Sequence, residues 1–525
     1  MAQRRRSRQR STRYAYLTWL LLAGVTTFHL WYIARGGIDL APDEAHYWEW
    51  SRRLDWSYYS KGPMVAYLIA ASTHFGPHTE FLVRLPAVLL AFGTALLVYR
   101  LTCQLFASQR AGFLAVLACS ANPLYAAGSV LMTIDAPFVF FWAVAAYSLW
   151  QALQSATAGA RRCWWLALGV ALGCGVLSKY TMLVIVPCVG AYLLTAPLAR
   201  PWLKRPEPYG ALLVGVALCA PIVVWNARHD WVSFRHVIGQ AGLAAPGADV
   251  EDHFTARTFF EFAGSQLAVI SPLLCAAIVM AMITGGRRGL QQRDDAHLFL
   301  FMLAVPLLAF LLLWSVYQKV EGNWAAPAYL TATVALAGLW NERLEAAGTA
   351  QRRVAARIAL VLVPGFLMVA VAHLPALAAS VGLTLAPRID LTRRLDGWKE
   401  LGAAVGQTVR EADGENLFLI SDQYQIASEL AFYVDGQPRV YNLNAGRRMN
   451  QYDIWGGLDA LRGHDGLIIT SGDWESLPPV EDSCEAIRKV RVVETSHLGR
   501  PGRIFSVFRC VRYKGVAKPP ARVTY

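Results

Sequence analysis

The sequence predicts a polytopic α-helical membrane protein with a small C-terminal α/β domain, and three observations lead to this fold class. Hydrophobic residues make up 55% of the 525 residues and charged residues 16%, whereas about a quarter of a typical soluble domain is charged. The apolar residues form blocks of about 17 to 25 residues, the length that crosses a hydrocarbon core. After residue 376 the blocks give way to short apolar runs separated by helical patterns.

The formal net charge of +13 is distributed in short basic clusters between the apolar blocks. The arginine-rich segment 1–13 begins this series, and clusters such as Arg161–Arg162 and Arg287–Arg288 fall on the same side of the alternating blocks. Basic loops of this kind mark the cytoplasmic side of a membrane protein. We therefore expect a cytoplasmic N-terminus, a retained first span, and no nucleic-acid partner.

Windows of about 18 to 20 residues predict about eleven membrane spans within a transmembrane domain of residues 14–375. The first outer loop is residues 34–82, and its apolar stretch from Gly62 to Phe75 is short enough for an interfacial or re-entrant helix. The predicted spans are 14–33, 83–105, 111–131, 136–152, 163–178, 181–197, 209–227, 259–283, 297–316, 324–340 and 355–375.

Residues 376–525 are predicted to form the extracytoplasmic α/β domain. Two of the nine cysteines, Cys484 and Cys510, fall in this region, and the others lie within or beside apolar blocks. Disulfides form in oxidising compartments. An extracytoplasmic location would therefore allow Cys484 and Cys510 to pair.

Charged residues that suit catalysis begin directly after the first span. Asp43 and Glu44 are adjacent carboxylates, which suit either acid–base chemistry or the N-terminus of a helix, where acidic residues complement the helix dipole. Lys61 follows Tyr58 and Tyr59 and precedes a Gly-Pro turn. A lysine at this position could bind a phosphate, or it could be an interfacial lysine within an aromatic belt.

Three further charged residues interrupt apolar sequence at predicted outer boundaries. Asp135 lies between two apolar segments, where an ionisable residue suggests function, although a turn before Pro137 also suits it. Lys179 and Lys319 each fit an ordinary loop when taken singly. Together with Lys61 they place three cations on the face that carries the carboxylates, which suits a phosphate-bearing substrate and a carboxylate base.

An ordered set of motifs in this chain resembles the dolichyl-phosphate-mannose protein mannosyltransferase-like group of bacterial membrane glycosyltransferases. This group is the family 39/83 type of the glycosyltransferase-C superfamily and includes the lipid A aminoarabinose and galacturonic acid transferases. The resemblance covers residues 15–340. The motifs are Asp43-Glu44, Tyr58-Tyr59-Ser60-Lys61-Gly62-Pro63, Arg84-Leu85-Pro86, Thr133-Ile134-Asp135-Ala136-Pro137, Leu177-Ser178-Lys179-Tyr180 and Asn323-Trp324-Ala325-Ala326-Pro327.

The resemblance implies inverting transfer of a sugar from a polyprenyl-phosphate donor to an extracytoplasmic acceptor, such as lipid A, lipopolysaccharide, another envelope glycan or a protein. By position, Asp43 would be the catalytic carboxylate with Glu44 beside it, and Asp135 would be the second acidic residue. Lys61 would hold the donor phosphate, although this segment reads Lys-Gly-Pro where the family has Lys-Pro-Pro. Weaker matches for donor-phosphate binding are Arg84, Lys179, Tyr180, Lys319 and Asn323.

No cofactor is certain from the sequence. Asp43, Glu44 and His46 are candidate ligands for a divalent cation, with oxygen and nitrogen donors near the expected phosphate. The motifs that bind ATP or a dinucleotide are missing from the sequence, so a lipid-linked donor fits better than a soluble nucleotide sugar.

Two other functions are compatible with many spans and boundary charges. A flippase or transporter of lipid-linked sugars would be expected to show internal repeats and charges at the membrane midplane, neither of which the sequence displays. A non-catalytic subunit of an envelope assembly would not depend on Asp43. The retention of Asp43, Asp135 and Lys61 together favours an active transferase.

Overall fold

The computed structural model describes residues 2–35, 37–240, 256–380, 395–412, 416–444, 448–477, 481–497 and 500–515. The chain divides into two compact units. The first unit comprises residues 1–33, 84–225 and 241–371, and the second comprises residues 34–83, 226–240 and 372–525. The first outer loop, which we predicted within the transmembrane domain, thus shares a unit with the C-terminal region. Residues 381–394 of the predicted C-terminal domain lie outside the described residues.

Helices dominate the described residues. Their bounds are α1 Ala2–Ala34, α2 Pro42–Ser51, α3 Met64–Thr73, α4 Glu80–Leu105, α5 Gln109–Ser120, α6 Pro123–Gly128, α7 Asp135–Gln154, α8 Ala158–Ser178, α9 Ile185–Thr195, α10 Pro206–Arg228, α11 Val232–Gln240, α12 Ala256–Ile270, α13 Pro272–Gln292, α14 Asp295–Trp314, α15 Ala326–Ala346, α16 Gln351–Ser380, α17 Trp398–Glu411, α18 Tyr424–Tyr433 and α19 Gln451–Trp455. The strands are β1 Phe418–Ser421, β2 Val440–Asn442, β3 Gly466–Ser471, β4 Cys484–His497 and β5 Arg500–Tyr513.

Within the described residues, eight helical segments are long and apolar enough to cross a membrane. They lie in α1, α4, α7, α8, α10, α13, α14 and α16, and each overlaps a predicted span. The chain is therefore a multi-pass membrane protein, while the count of about eleven spans stays a prediction. The short helix α3 occupies the apolar stretch that we predicted to be too short to span.

Two predicted spans, 111–131 and 259–283, are each divided between two helices, because a proline begins a new helix inside each of them. In segment 111–131, the Asn122 side chain accepts a hydrogen bond from the Leu124 amide at 3.0 Å, and Pro123 begins α6. In segment 259–283, Ser271 has a φ of 94° and Pro272 begins α13. A proline in the first turn loses no helical hydrogen bond, so each site ends one helix and begins another.

The first unit positions its polar residues through helix pairing. Helices α7 and α8 pack together and are joined by the short segment 155–157, so the chain reverses direction between them. Asp135 at the start of α7 and Lys179 directly after α8 are therefore at the same end of the pair. Helix α8 also approaches α10 closely, since a Cβ atom on Gly169 would overlap the Ala211 carbonyl oxygen.

The second unit contains a five-stranded sheet in the order β2-β1-β3-β5-β4. Strand β1 pairs in parallel with β2 and β3, whereas β5 pairs antiparallel with β3 and β4. Cys484 and Cys510 are joined by a disulfide within the buried core beside Phe418 and Phe508. Helix α18 packs on α17 and also on α2. The helix that carries Asp43 is thereby held against the C-terminal region.

Candidate functional site

Asp43 and Glu44 lie in the first turn of α2 and have different environments. Pro42 begins the helix, and the Glu44 carboxylate accepts a hydrogen bond from the Ala41 amide at 2.9 Å. Glu44 is fully buried. It therefore satisfies a backbone donor at the helix start, the structural role that we considered for this pair.

Asp43 is exposed to solvent beside this buried cap. Its Oδ1 accepts a hydrogen bond from the Tyr424 hydroxyl at 3.1 Å. Desolvation by surrounding protein atoms is the largest effect on the pKa of Asp43 and raises it, as does the negative charge of Glu44. The Tyr424 hydrogen bond and the positive charge of Lys61 lower this pKa and offset part of the rise. Asp43 is thus an accessible carboxylate with a hydroxyl donor and a cation nearby, as a general base or charge-stabilising group requires.

Lys61 lies in a turn of the first outer loop, where the Tyr58 amide donates to the Lys61 carbonyl at 3.3 Å. Its charge also acts on His236 in α11, whose pKa is lowered to about 3 by burial, Arg448 and Lys61. An Arg448 Nη2 lies 2.6 Å from His236 Nδ1. The imidazole of His236 is therefore neutral, and positive charge collects around it.

His46, the third candidate metal ligand, is buried beside the C-terminal region. Its Nδ1 lies 3.0 Å from the Ser428 hydroxyl, and burial lowers its pKa to about 3. The Glu44 carboxylate is occupied by the Ala41 amide. Across the part of the chain that the structure describes, no group of three His, Cys, Asp or Glu side chains is arranged to hold a metal ion. Binding of a divalent cation by Asp43, Glu44 and His46 stays a prediction.

Asp135, Lys179 and Asn323 meet in the first unit. Lys179 Nζ lies 2.7 Å from Asp135 Oδ1, and Asn323 Nδ2 donates to Asp135 Oδ2 at 2.6 Å. The aromatic rings of Phe138 and Trp324 lie 5.6 Å and 5.5 Å from the lysine ammonium. Because both carboxylate oxygens are engaged, Asp135 is suited to holding Lys179 and Asn323 in place rather than to accepting a proton.

The remaining predicted phosphate ligands have separate surroundings. Arg84 is buried near the start of α4 and Tyr180 begins a 3-10 helix that follows Lys179. Lys319 is exposed, and its ammonium pairs with the Glu321 carboxylate at 2.8 Å. No contact of Lys319 with the Asp135 group is found in the described residues.

A cavity of about 390 Å³ opens in the first unit beside Asp135 and Asn323. Its walls are largely apolar and come from α1, α4, α5, α6, α7, α15 and α16. Thr133 and Ser129 add hydroxyl groups to the lining. A cavity with mostly hydrocarbon walls and a few convergent polar groups suits an amphipathic ligand such as a lipid phosphate.

Sequence reasoning missed Tyr424, His236 and Arg448. Tyr424 lies 381 residues from Asp43, and Arg448 lies 212 residues from His236. Tyr424 begins one of the helical patterns that follow residue 376, but a local pattern carries no information about a partner so far away. In the sequence, His236 and Arg448 are a histidine and an arginine in predicted outer segments. Such residues are too common there to be singled out.

A fold of long apolar helices, together with a unit that contains an α/β sheet, defines the class of this protein as a polytopic α-helical membrane protein. Residues 60–225 match the family model for dolichyl-phosphate-mannose-protein mannosyltransferase. The structure is similar to ArnT from Cupriavidus metallidurans, with a TM-score of 0.62 and 15% identity over 94% of this chain and 98% of that one. These matches confirm the predicted fold class and the resemblance inferred from the motifs.

Curated relatives are similar over a smaller part of the chain. A lipid A galacturonosyltransferase, RgtD, of Rhizobium johnstonii is 28% identical over 60% of this chain and 63% of its own length. An undecaprenyl phosphate-α-4-amino-4-deoxy-L-arabinose arabinosyl transferase of Pseudomonas paraeruginosa is 30% identical over 39% of each chain. The ArnT fold has also been solved bound to undecaprenyl phosphate, with a TM-score of 0.61 and 16% identity over 95% of this chain and 98% of that one. This chain therefore spans less than two thirds of the length of these two curated relatives.

Proposed function

We propose that this protein is an inverting glycosyltransferase that moves a sugar from a polyprenyl-phosphate donor to lipid A or another extracytoplasmic envelope acceptor. The observation that carries the proposal is the solvent-open Asp43 carboxylate, which is placed within the electrostatic reach of Lys61. Asp43 is the catalytic carboxylate. The names of the similar proteins support the substrate class, because they include transferases that act on lipid A or use an undecaprenyl-phosphate sugar.

The chemistry follows from the charges of these groups. Phosphate is already a good leaving group at an anomeric carbon, so a cation that neutralises it matters more than an acid that protonates it. Lys61 supplies such a cation. Asp43 takes the proton of an acceptor hydroxyl as that oxygen attacks the anomeric carbon, or orients the acceptor if its nucleophile is a phosphate oxygen.

The first unit, described by itself, has features suited to a lipid donor. Its cavity has apolar walls that match a polyprenyl chain, and Asp135 and Asn323 lie at its lining. Asp135 holds Lys179, which provides a positive charge for a phosphate. Arg84, Tyr180 and Lys319 stay predictions for the same role, and Glu44 acts as the cap of α2 beside the catalytic carboxylate.

The sugar and acceptor are proposed from the same similarities. Galacturonic acid and 4-amino-4-deoxy-L-arabinose are the two candidate sugars, and lipid A is the candidate acceptor. The test is mass spectrometry of lipid A from a deletion strain that carries wild type, Asp43→Asn or, as a matched control, Asp435→Asn. Asp435 is an exposed aspartate that pairs with Arg410.

Wild type and Asp435→Asn should restore one missing glycosyl mass, and Asp43→Asn at equal membrane abundance should not. Full rescue by Asp43→Asn would overturn the catalytic role of Asp43 and favour a non-catalytic assembly subunit. Accumulation of a lipid-linked sugar without any missing glycosyl group would overturn the transferase and favour a flippase or transporter.

We also propose that the N-terminus is cytoplasmic and that the C-terminal region faces the extracytoplasmic side of a bacterial inner membrane. The disulfide between Cys484 and Cys510 supports this orientation, since disulfides persist in oxidising compartments. A cysteine placed at Asp435, in a chain that keeps the Cys484–Cys510 disulfide and has its seven free cysteines replaced, should react with a membrane-impermeant maleimide in whole cells whose outer membrane is permeabilised. Protection until the inner membrane is broken would overturn the orientation.

A further inference from the structure

The interface between α2 and α18 brings a residue of the C-terminal region to the carboxylate in the first outer loop. Tyr424 is the first residue of α18, and its hydroxyl donates to Asp43 Oδ1 at 3.1 Å. We propose that Tyr424 is a positioning residue for Asp43, which orients one carboxylate oxygen and leaves the other directed at the reacting group. The catalytic carboxylate would then depend on the C-terminal region for its geometry.

Asp43 needs an external constraint because its side chain is exposed. An exposed aspartate samples several rotamers, and each misplacement of a catalytic group by about 1 Å is costly in rate. Among the described residues, the Tyr424 hydroxyl is the hydrogen-bond donor to this carboxylate. The other charged groups that act on Asp43 are Lys61, from the loop before α3, and Glu44 on its own helix.

Tyr424 is itself held in a defined direction. Its ring packs against the ring of His46 with centroids 4.9 Å apart. One turn along α18, the Ser428 hydroxyl lies 3.0 Å from His46 Nδ1 and 3.0 Å from the Tyr452 hydroxyl. Tyr452 in turn donates to the buried Glu49 carboxylate.

These contacts follow one face of α2. Asp43, His46 and Glu49 are spaced three residues apart, so they lie on the same side of the helix, and each contacts a hydroxyl from the C-terminal region. The contact of His46 with Ser428 on α18 and the contact of Glu49 with Tyr452 on α19 are both buried, and together they fix the C-terminal region on α2. The third contact, at Asp43, is the exposed end of this row.

The Tyr424 hydroxyl remains a donor under ordinary conditions. Burial and the neighbouring Asp43 charge hold the pKa of Tyr424 well above its ordinary value. A neutral phenol donates a hydrogen bond to a carboxylate and stabilises the negative charge on the oxygen that accepts it. Tyr424 thereby favours the ionised form of Asp43 and fixes Oδ1, which leaves Oδ2 as the oxygen that can face an acceptor.

The contact can be tested without any turnover. Infrared difference spectra between the full-length protein and its Asp43→Asn variant isolate the Asp43 carboxylate bands, and the same difference is taken in a Tyr424→Phe background. Tyr441→Phe, which changes a tyrosine on β2 that packs beside the C-terminal core, is the matched control. We expect the bands to shift with Tyr424→Phe and not with Tyr441→Phe. Identical bands in all three backgrounds would overturn the proposal.

The positioning role rests on the proposed function and has its own kinetic test. Full-length protein in liposomes is given lipid A and either undecaprenyl-phosphate 4-amino-4-deoxy-L-arabinose or polyprenyl-phosphate galacturonic acid. Tyr424→Phe should lower kcat on the order of tenfold with KM for the donor nearly unchanged, because orientation matters in the transition state. A variant with unchanged kcat would overturn the role.

The two failures are distinguishable. If wild type transfers neither sugar, the proposed function fails for these substrates, and the infrared result still decides whether Tyr424 orients Asp43. If wild type transfers sugar and Tyr424→Phe raises KM alone, Tyr424 contributes to binding or folding and the positioning role is overturned. Tyr424→Phe keeps the ring that packs on His46, so it leaves the helix interface intact.

Discussion

Replacement of Glu49 by glutamine is expected to change how the stability of the protein depends on pH. Glu49 is 1% exposed on α2, and it accepts a hydrogen bond from the Tyr452 hydroxyl. Arg53 Nη2 is 3.8 Å from the other carboxylate oxygen, which is too far for a hydrogen bond. Burial raises the pKa of Glu49 from 4.5 to about 7, and the Tyr452 hydrogen bond and nearby arginines offset only part of that effect.

The sign follows from the raised pKa of this acid. The folded state favours the protonated form, so the stabilising contribution of Glu49 is fully present below pH 4.5 and is lost as the pH rises through about 7. At about 1.4 kcal/mol per pKa unit, the loss amounts to about 3 kcal/mol. Glutamine mimics the protonated acid and keeps an oxygen for the Tyr452 hydroxyl, so Glu49→Gln should escape this loss.

The assay is thermal unfolding of the full-length protein in detergent between pH 5 and pH 8. We expect the Tm of Glu49→Gln to rise relative to wild type as the pH increases, by several degrees at pH 8. Glu494→Gln, which changes an exposed glutamate on β4, is the matched control and should follow wild type. Parallel Tm curves for wild type and Glu49→Gln across this range would refute the reasoning.

Three other substitutions test separate parts of the structure. Replacing Cys484 and Cys510 by serine opens a loop with a sequence separation of 26 and should lower the unfolding free energy by about 3 kcal/mol. The variant should therefore have a lower Tm than wild type, and adding a reductant should not change it further. Lys179→Met leaves the Asp135 carboxylate without its cation and should lower the unfolding free energy by about 3 kcal/mol. Adding Asp135→Asn should recover part of that loss. Additive losses of unfolding free energy in a denaturation series would contradict the pairing. Ala95→Trp fills part of the cavity in the first unit. It should reduce glycosylation of lipid A, measured by mass spectrometry, more than it reduces the abundance of the protein in the membrane. Equal reductions of the two would count against a ligand in that cavity.

Local sequence features were sufficient to predict the membrane class and most of the helices. Long apolar blocks must be helical in a bilayer because their backbone groups have no water to pair with. Averaging the hydropathy over a long window hid the breaks between helices at Asn122 and Ser271, because one polar residue barely changes the mean hydropathy of that window. Pro123 and Pro272 were the available signals, since a proline favours the first turn of a new helix.

The candidate site was only partly visible in the sequence. Asp43 and Lys61 are close along the chain. The position of the first predicted span was therefore enough to place both residues in the first outer loop. The structure separates the two carboxylates of the first turn, since Glu44 is buried as a cap and Asp43 is exposed. Neighbouring residues on a helix point in different directions, which a linear motif does not express.

The order of amino acids was enough to predict that this chain crosses a membrane many times, that a small α/β region follows, and that acidic and cationic residues gather at the ends of apolar segments. Tertiary structure alone decided which groups meet: Lys179 with Asp135 across 44 residues, and Tyr424 with Asp43 across 381. The physical reason is the range of the forces involved. Hydrophobic transfer to a bilayer depends on local composition, whereas a hydrogen bond forms only when packing brings two particular atoms to about 3 Å.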